Sequence, residues 1–187
     1  MQNTNPKDLS KIKLKAYIAL TLSVCSLIPF LGKIFAIAYY IVMFFVIKDV
    51  SSQSQSPTLL KNFSIFLGLM VAGIILGWLS TLVMGASVLS TLSGAVASAG
   101  FGYYLFKALT FAVAIGGVVY GYFYYKELSI LSDIKLFVIA YIFVFIDKAF
   151  TTLWLGWISW VFLLIAFVIE LIAWIKLEHI NKAEIQN

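Results

Sequence analysis

The chain has 187 residues, 63% of them hydrophobic and 11% charged, with a mean hydropathy of +1.03 and a net charge of +5. A water-soluble domain of that composition lacks the polar groups to cover its apolar surface, so a soluble globular protein is excluded. Nucleic acid is excluded as a partner too. The thirteen basic residues are all lysine, they stand at the ends of apolar runs, and they form no stripe with interleaved aromatics.

What remains is an all-α polytopic transmembrane helical bundle, since a bilayer core about 30 Å thick needs roughly 20 apolar helical residues per crossing. The spacing predicts about six spans in a single integral membrane domain over 1–187, at 16–31, 33–48, 63–84, 104–125, 130–150 and 153–175. A basic stretch, Lys7 to Lys15, precedes the first span. Leu22-Ser23-Val24-Cys25 resembles a lipoprotein cleavage box, but Val24 is not small and the apolar run continues, so a retained span is expected. Pro29-Phe30-Leu31-Gly32-Lys33 interrupts that run and reads as a tight turn between spans one and two; the alternative is one kinked helix with Lys33 buried.

Asp49 to Ser56 is polar and low in complexity and reads as a solvated linker, after which Pro57-Thr58 suits a helix start. In span three Gly73, Gly77, Thr81 and Gly85 recur every four residues, and span four carries Gly117 and Gly121. Small residues at that spacing let backbones approach closely. The expected packing positions are therefore Gly73, Gly77, Gly85, Gly117 and Gly121, with spans three and four in direct contact. Ala86–Gly102 between them is expected to be a loop with partial helix. Span five is short unless it extends over 130–150. Tyr103, Tyr104, Tyr122, Tyr124 and Tyr125 around span four, and Trp154, Trp157, Trp160 and Trp174 around span six, read as interfacial aromatic belts.

Lysine placement sets the orientation. With the N-terminus in the cytoplasm, Lys7, Lys11, Lys13, Lys15, Lys48, Lys61, Lys126, Lys135, Lys176 and Lys182 lie on the cytoplasmic side. Lys33, Lys107 and Lys148 lie outside, which places both termini in the cytoplasm.

Chemistry is sparse. One cysteine, Cys25, and one histidine, His179, exclude an internal disulfide and any His- or Cys-rich metal site. Metalloprotease, nucleophile-elbow and phosphate-loop motifs are absent. No catalytic residue, metal or cofactor is expected, and the chain does not read as an enzyme. Glu170 is the one carboxylate well inside an apolar run, and so an intramembrane ionisable candidate. It lies about five residues from the end of its span, near enough to reach headgroups or water.

Ser26-Leu27-Ile28-Pro29-Phe30-Leu31-Gly32, the following helix ending Ile47-Lys48-Asp49-Val50-Ser51, and Leu155-Gly156-Trp157 resemble the opening and closing hairpins of an uncharacterised family of small prokaryotic multi-pass membrane proteins. The resemblance implies a bacterial cytoplasmic membrane location and supplies no activity. The reading is of an integral membrane protein with a structural, assembly or interaction role, the alternative being a small transporter or channel subunit for an ion or small solute. The lipid bilayer is its surroundings, and a second copy or another membrane protein is the partner class open to it.

Overall fold

The computed structural model describes residues 6–26, 28, 31–92, 99–152 and 156–183. Among them are six α-helices and no strand: α1 Pro6–Cys25, α2 Gly32–Ser54, α3 Pro57–Leu92, α4 Ala99–Ser132, α5 Leu136–Thr152 and α6 Gly156–Lys176. Among the described residues three stretches are long and apolar enough to cross a membrane: Ile34–Ser54, Pro57–Gly85 and Gly102–Ser132. The chain divides into two compact units, one of residues 1–64 with 121–187 and the other of residues 65–120.

In the first unit α1 pairs with α2 and α5 with α6, while α1 also touches α6. The α1–α2 seam follows helical spacing. Ile12, Ala16, Ala19 and Leu20 are buried on one helix, and Met43, Val46, Ile47 and Val50 on the other. The break between the two helices rests on Gly32. Its N–H donates to the Ile28 carbonyl at 2.8 Å, and a β-carbon built there would stand 2.0 Å from the Ser26 carbonyl oxygen. Only glycine fits so close to backbone. The chain is thus two helices here and not one kinked helix; residues 29 and 30 and the Lys33 side chain lie outside the described residues.

The expected solvated linker at 49–56 is overturned. α2 runs through Ser54, and Ser51, Ser54 and Ser56 are 8%, 0% and 1% exposed. Gln55 turns left-handed (φ 56°), and the Ser56 N–H reaches back to the Ser51 carbonyl at 3.1 Å. This is a helix stop of the Schellman type with glutamine where glycine is usual. Ser51 Oγ donates to the Ser56 carbonyl, so serines that look solvating satisfy the turn from inside.

A second stop of the same kind redraws the fifth span. Asp133 is left-handed (φ 55°), and the Ile134 N–H donates to the Ser129 carbonyl at 3.1 Å. The residues from 130 to Ser132 therefore belong to α4, and α5 begins only at Leu136. Helix also extends further into 86–102 than expected, to Leu92 and again from Ala99; residues 93–98 lie outside the described set.

Beyond α6 the chain folds back across helix ends. Leu177 and Ile180 are 1% and 5% exposed, the Asn181 N–H donates to the Leu131 carbonyl at 2.7 Å, and the Ala183 N–H donates to the Ser54 carbonyl at 2.8 Å. The tail thereby fastens the last turns of α2 and α4. Nearby ends are tied by charge: Lys13 Nζ donates to the Ile175 carbonyl at 2.9 Å, and Lys15 pairs with Asp49 at 2.5 Å.

The second unit is the remainder of α3 and α4. Gly73 faces Val113, Gly116 faces Leu69, and Gly102 faces Val83. As one partner's number rises the other's falls, which is antiparallel packing in constant register. Side chains of α3 and α4 thus reach glycines of the other helix at three places, which is less than the whole expected row. A β-carbon added at Gly77, Gly85 or Gly117 would meet nothing within 4 Å, whereas one at Gly116 would sit 3.1 Å from the Leu69 side chain. The every-four-residue spacing puts Gly73, Gly77 and Gly85 on one helix face, but only Gly73 has a neighbour within reach of an added β-carbon. Gly121 belongs to the first unit, where its added β-carbon would stand 2.8 Å from the Tyr141 ring.

Candidate functional site

The most unusual polar group in the protein is the carboxyl of Glu170. It lies on the buried stripe of α6 formed by Ala166, Glu170, Ala173 and Trp174, while Val168, Ile172 and Ile175 are on the exposed side. Glu170 itself is 6% exposed. The sequence had allowed its carboxyl to reach headgroups or water; instead the protein encloses it, because helical periodicity points residue 170 the same way as the alanines that admit neighbouring helices.

The enclosing side chains are aromatic. Tyr125 on α4 donates its hydroxyl to Glu170 Oε2 at 3.4 Å, the long end of hydrogen bonding. The second oxygen, Oε1, is buried without a hydrogen bond. Trp174, one turn further along α6 and 0% exposed, brings its indole N–H close enough to act on the carboxyl but outside hydrogen-bond geometry. Tyr39 and Tyr40 on α2 and Tyr124 on α4 lie within electrostatic reach of the same carboxyl. Ring contacts hold this shell in place: Tyr124 on Tyr125 at 4.6 Å, Tyr125 on Tyr141 at 5.2 Å, Phe63 on Tyr124 at 4.9 Å, and Phe137 on Trp174 at 5.1 Å between centroids. Among the described residues Glu170 has no ion-pair partner.

A second carboxylate shows what full satisfaction looks like in the same unit. Glu127, half-buried near the end of α4, accepts hydrogen bonds from Ser56 Oγ, Thr58 Oγ1 and the Asn62 amide, the last at 3.2 Å. It ties the start of α3 to α4, and its donors leave it little capacity for a ligand. Asp147 is also buried, at 3% exposed, and carries Lys148 at 3.1 Å. Of the three, Glu127 is hydrogen-bonded and Asp147 is ion-paired, whereas Glu170 keeps a buried oxygen, Oε1, with neither among the described residues.

Sequence reasoning named Glu170 but not its surroundings. Tyr124, Tyr125 and Trp174 read as belt residues by composition; they are 1%, 7% and 0% exposed and turn inward to the carboxyl. Tyr122 (40% exposed), Tyr104 (71%) and Trp160 (57%) do face outward. Trp154 and the side chain of Trp157 lie outside the described residues. One signal was available: Trp174 follows Glu170 by four residues, which puts both on one helix face. Tyr39 and Tyr40 carried no comparable mark, because only the tertiary fold brings α2 to this place. Among the packing glycines, Gly73 and Gly121 touch neighbours, and Gly77, Gly85 and Gly117 do not. No group of three or more His, Cys, Asp and Glu residues that could hold a metal ion occurs among the described residues.

No family model, curated protein or solved structure matches this chain. The likeness of its hairpins to small prokaryotic membrane proteins therefore rests on the residues quoted for it alone.

Proposed function

We propose that this protein is a multi-pass protein of the bacterial cytoplasmic membrane that moves a cation across it, with Glu170 as the binding carboxylate. The observation that carries the reading is Glu170 Oε1, buried and without a hydrogen bond. A carboxyl kept only for structure is satisfied by donors, as Glu127 is. An enclosed carboxyl with an open oxygen is costly and is the ordinary mark of an ion or proton site in a membrane protein. The reading includes six crossings with both ends in the cytoplasm. It is supported by the lysine distribution and by the way the tail after α6 meets the turn between α2 and α3, both on the side assigned to the cytoplasm.

The test is cation flux into liposomes containing the purified protein, compared with Glu170→Gln, which keeps the shape and removes the charge. Flux in the wild type that is lost in a variant of unchanged stability is the expected result. Equal flux from both proteins, or none from either, removes transport through Glu170 and leaves the structural or assembly role.

A further inference from the structure

Resting on that reading, we propose that the cation taken up at Glu170 is a proton, and not a metal ion or an organic ammonium. The donor set decides between them. A hard metal cation collects about six oxygen ligands, and the described side-chain oxygens around Glu170 are its own carboxyl and neutral tyrosine hydroxyls. Among the groups that act on this carboxyl are Tyr125, whose hydroxyl is directed at Oε2, and Trp174, whose indole offers a donor and no acceptor. Neither adds an anionic oxygen for a metal, and Oε1 is left without a hydrogen bond, where a single proton can bind.

An ammonium ion would draw on ring faces. The rings here already lie on one another, Tyr124 on Tyr125 and Tyr125 on Tyr141, with Phe137 against Trp174. A guest of that size would have to part them. A proton needs no volume. The titratable groups facing Glu170 are Tyr39 and Tyr40 from α2 and Tyr124 and Tyr125 from α4, with Tyr141 of α5 behind Tyr125. Each is neutral as a phenol, so none supplies the counter-charge that would hold Glu170 ionised.

The step is a simple transfer. A hydronium ion on one side gives a proton to Oε1, forming an O–H bond and releasing water. That bond breaks when water on the other side accepts the proton. Nothing is oxidised or reduced.

The experiment uses the intact protein in detergent and dicyclohexylcarbodiimide, an apolar reagent that adds only to a protonated carboxyl. Adduct on the peptide containing Glu170 is measured by mass spectrometry between about pH 5 and 9, a range that brackets ordinary carboxyl and imidazole titration. Sodium, potassium and tetraethylammonium chlorides are tested as protectants. The expected result is labelling at Glu170 that falls as pH rises, is absent in Glu170→Gln and is unprotected by any of the three salts. Protection by one of those cations, or no labelling of Glu170 at any pH, overturns the proton assignment. If labelling behaves as expected while proton flux into liposomes is the same for wild type and Glu170→Gln, the assignment stands and the transport reading falls.

Discussion

The two compact units are held by different means. In residues 1–64 with 121–187, polar side chains reach between helices: Glu127 gathers donors from the start of α3, Lys15 meets Asp49, Lys13 caps α6, and the tail hydrogen-bonds to two helix ends. In residues 65–120 the described hydroxyls of Thr81 and Thr110 bond back to their own helix, at the carbonyls of Gly77 and Phe106. There, glycines of α3 and α4 face aliphatic side chains of the other helix, at Gly73–Val113, Leu69–Gly116 and Val83–Gly102. Apolar contact is forgiving of small changes when the facing helix is not close, whereas a backbone hydrogen bond or a buried carboxyl has one geometry. Substitutions should therefore separate the units, and stability of purified variants against heat or denaturing detergent measures it.

Gly32→Ala should have the largest effect. Its β-carbon would overlap the Ser26 carbonyl, a backbone atom that cannot swing aside, so a loss of about 3 kcal/mol or more is expected. A variant as stable as wild type would show that the α1–α2 turn relaxes freely. Ile180→Asp comes next. It places a carboxylate where a 5% exposed side chain anchors the tail, at an expected loss of about 2 kcal/mol. Release of the tail, read as faster proteolysis after Lys176, should accompany it; a tail equally protected in both proteins would refute the anchor.

A matched pair then sharpens the contrast between units. Gly121→Leu drives a side chain into Tyr141, which stands 2.8 Å from an added β-carbon, and should cost about 1–3 kcal/mol. Gly77→Leu enters open space and should change stability by under about 0.5 kcal/mol. Equal losses would return Gly77 to a packed interface, one formed with a second copy or another membrane protein. The smallest effect is a gain. Gln55→Gly relieves a left-handed residue at φ 56° and should stabilise by several tenths of a kcal/mol, offset in part by greater freedom of the unfolded chain. A loss instead would mean that the glutamine side chain contributes more than its backbone costs.

Much of the helical pattern is legible in the chain because it follows from local rules. Apolar length gives helices, Pro57 opens α3, and the residues around Gly32 break one long run into two helices. The stops at Gln55 and Asp133 were not legible, since left-handed residues other than glycine leave no clear sequence mark. Serine content suggested solvent at 51–56, yet the same hydroxyls close a buried turn when the carbonyl of Ser56 and the carboxyl of Glu127 lie within reach.

The sequence by itself determined an all-helical chain suited to a membrane, and singled out Glu170 as the carboxylate to examine. Composition and periodicity suffice for that, because each depends on a residue and its near neighbours. Only the tertiary structure decided how Glu170 is enclosed. Its exposure depends on which way α6 turns, its shell on where α2 and α4 bring Tyr39, Tyr40, Tyr124 and Tyr125, and its open oxygen on the absence of one more donor in that shell. Those are relations between residues far apart in the chain, fixed by packing, and no local pattern encodes them.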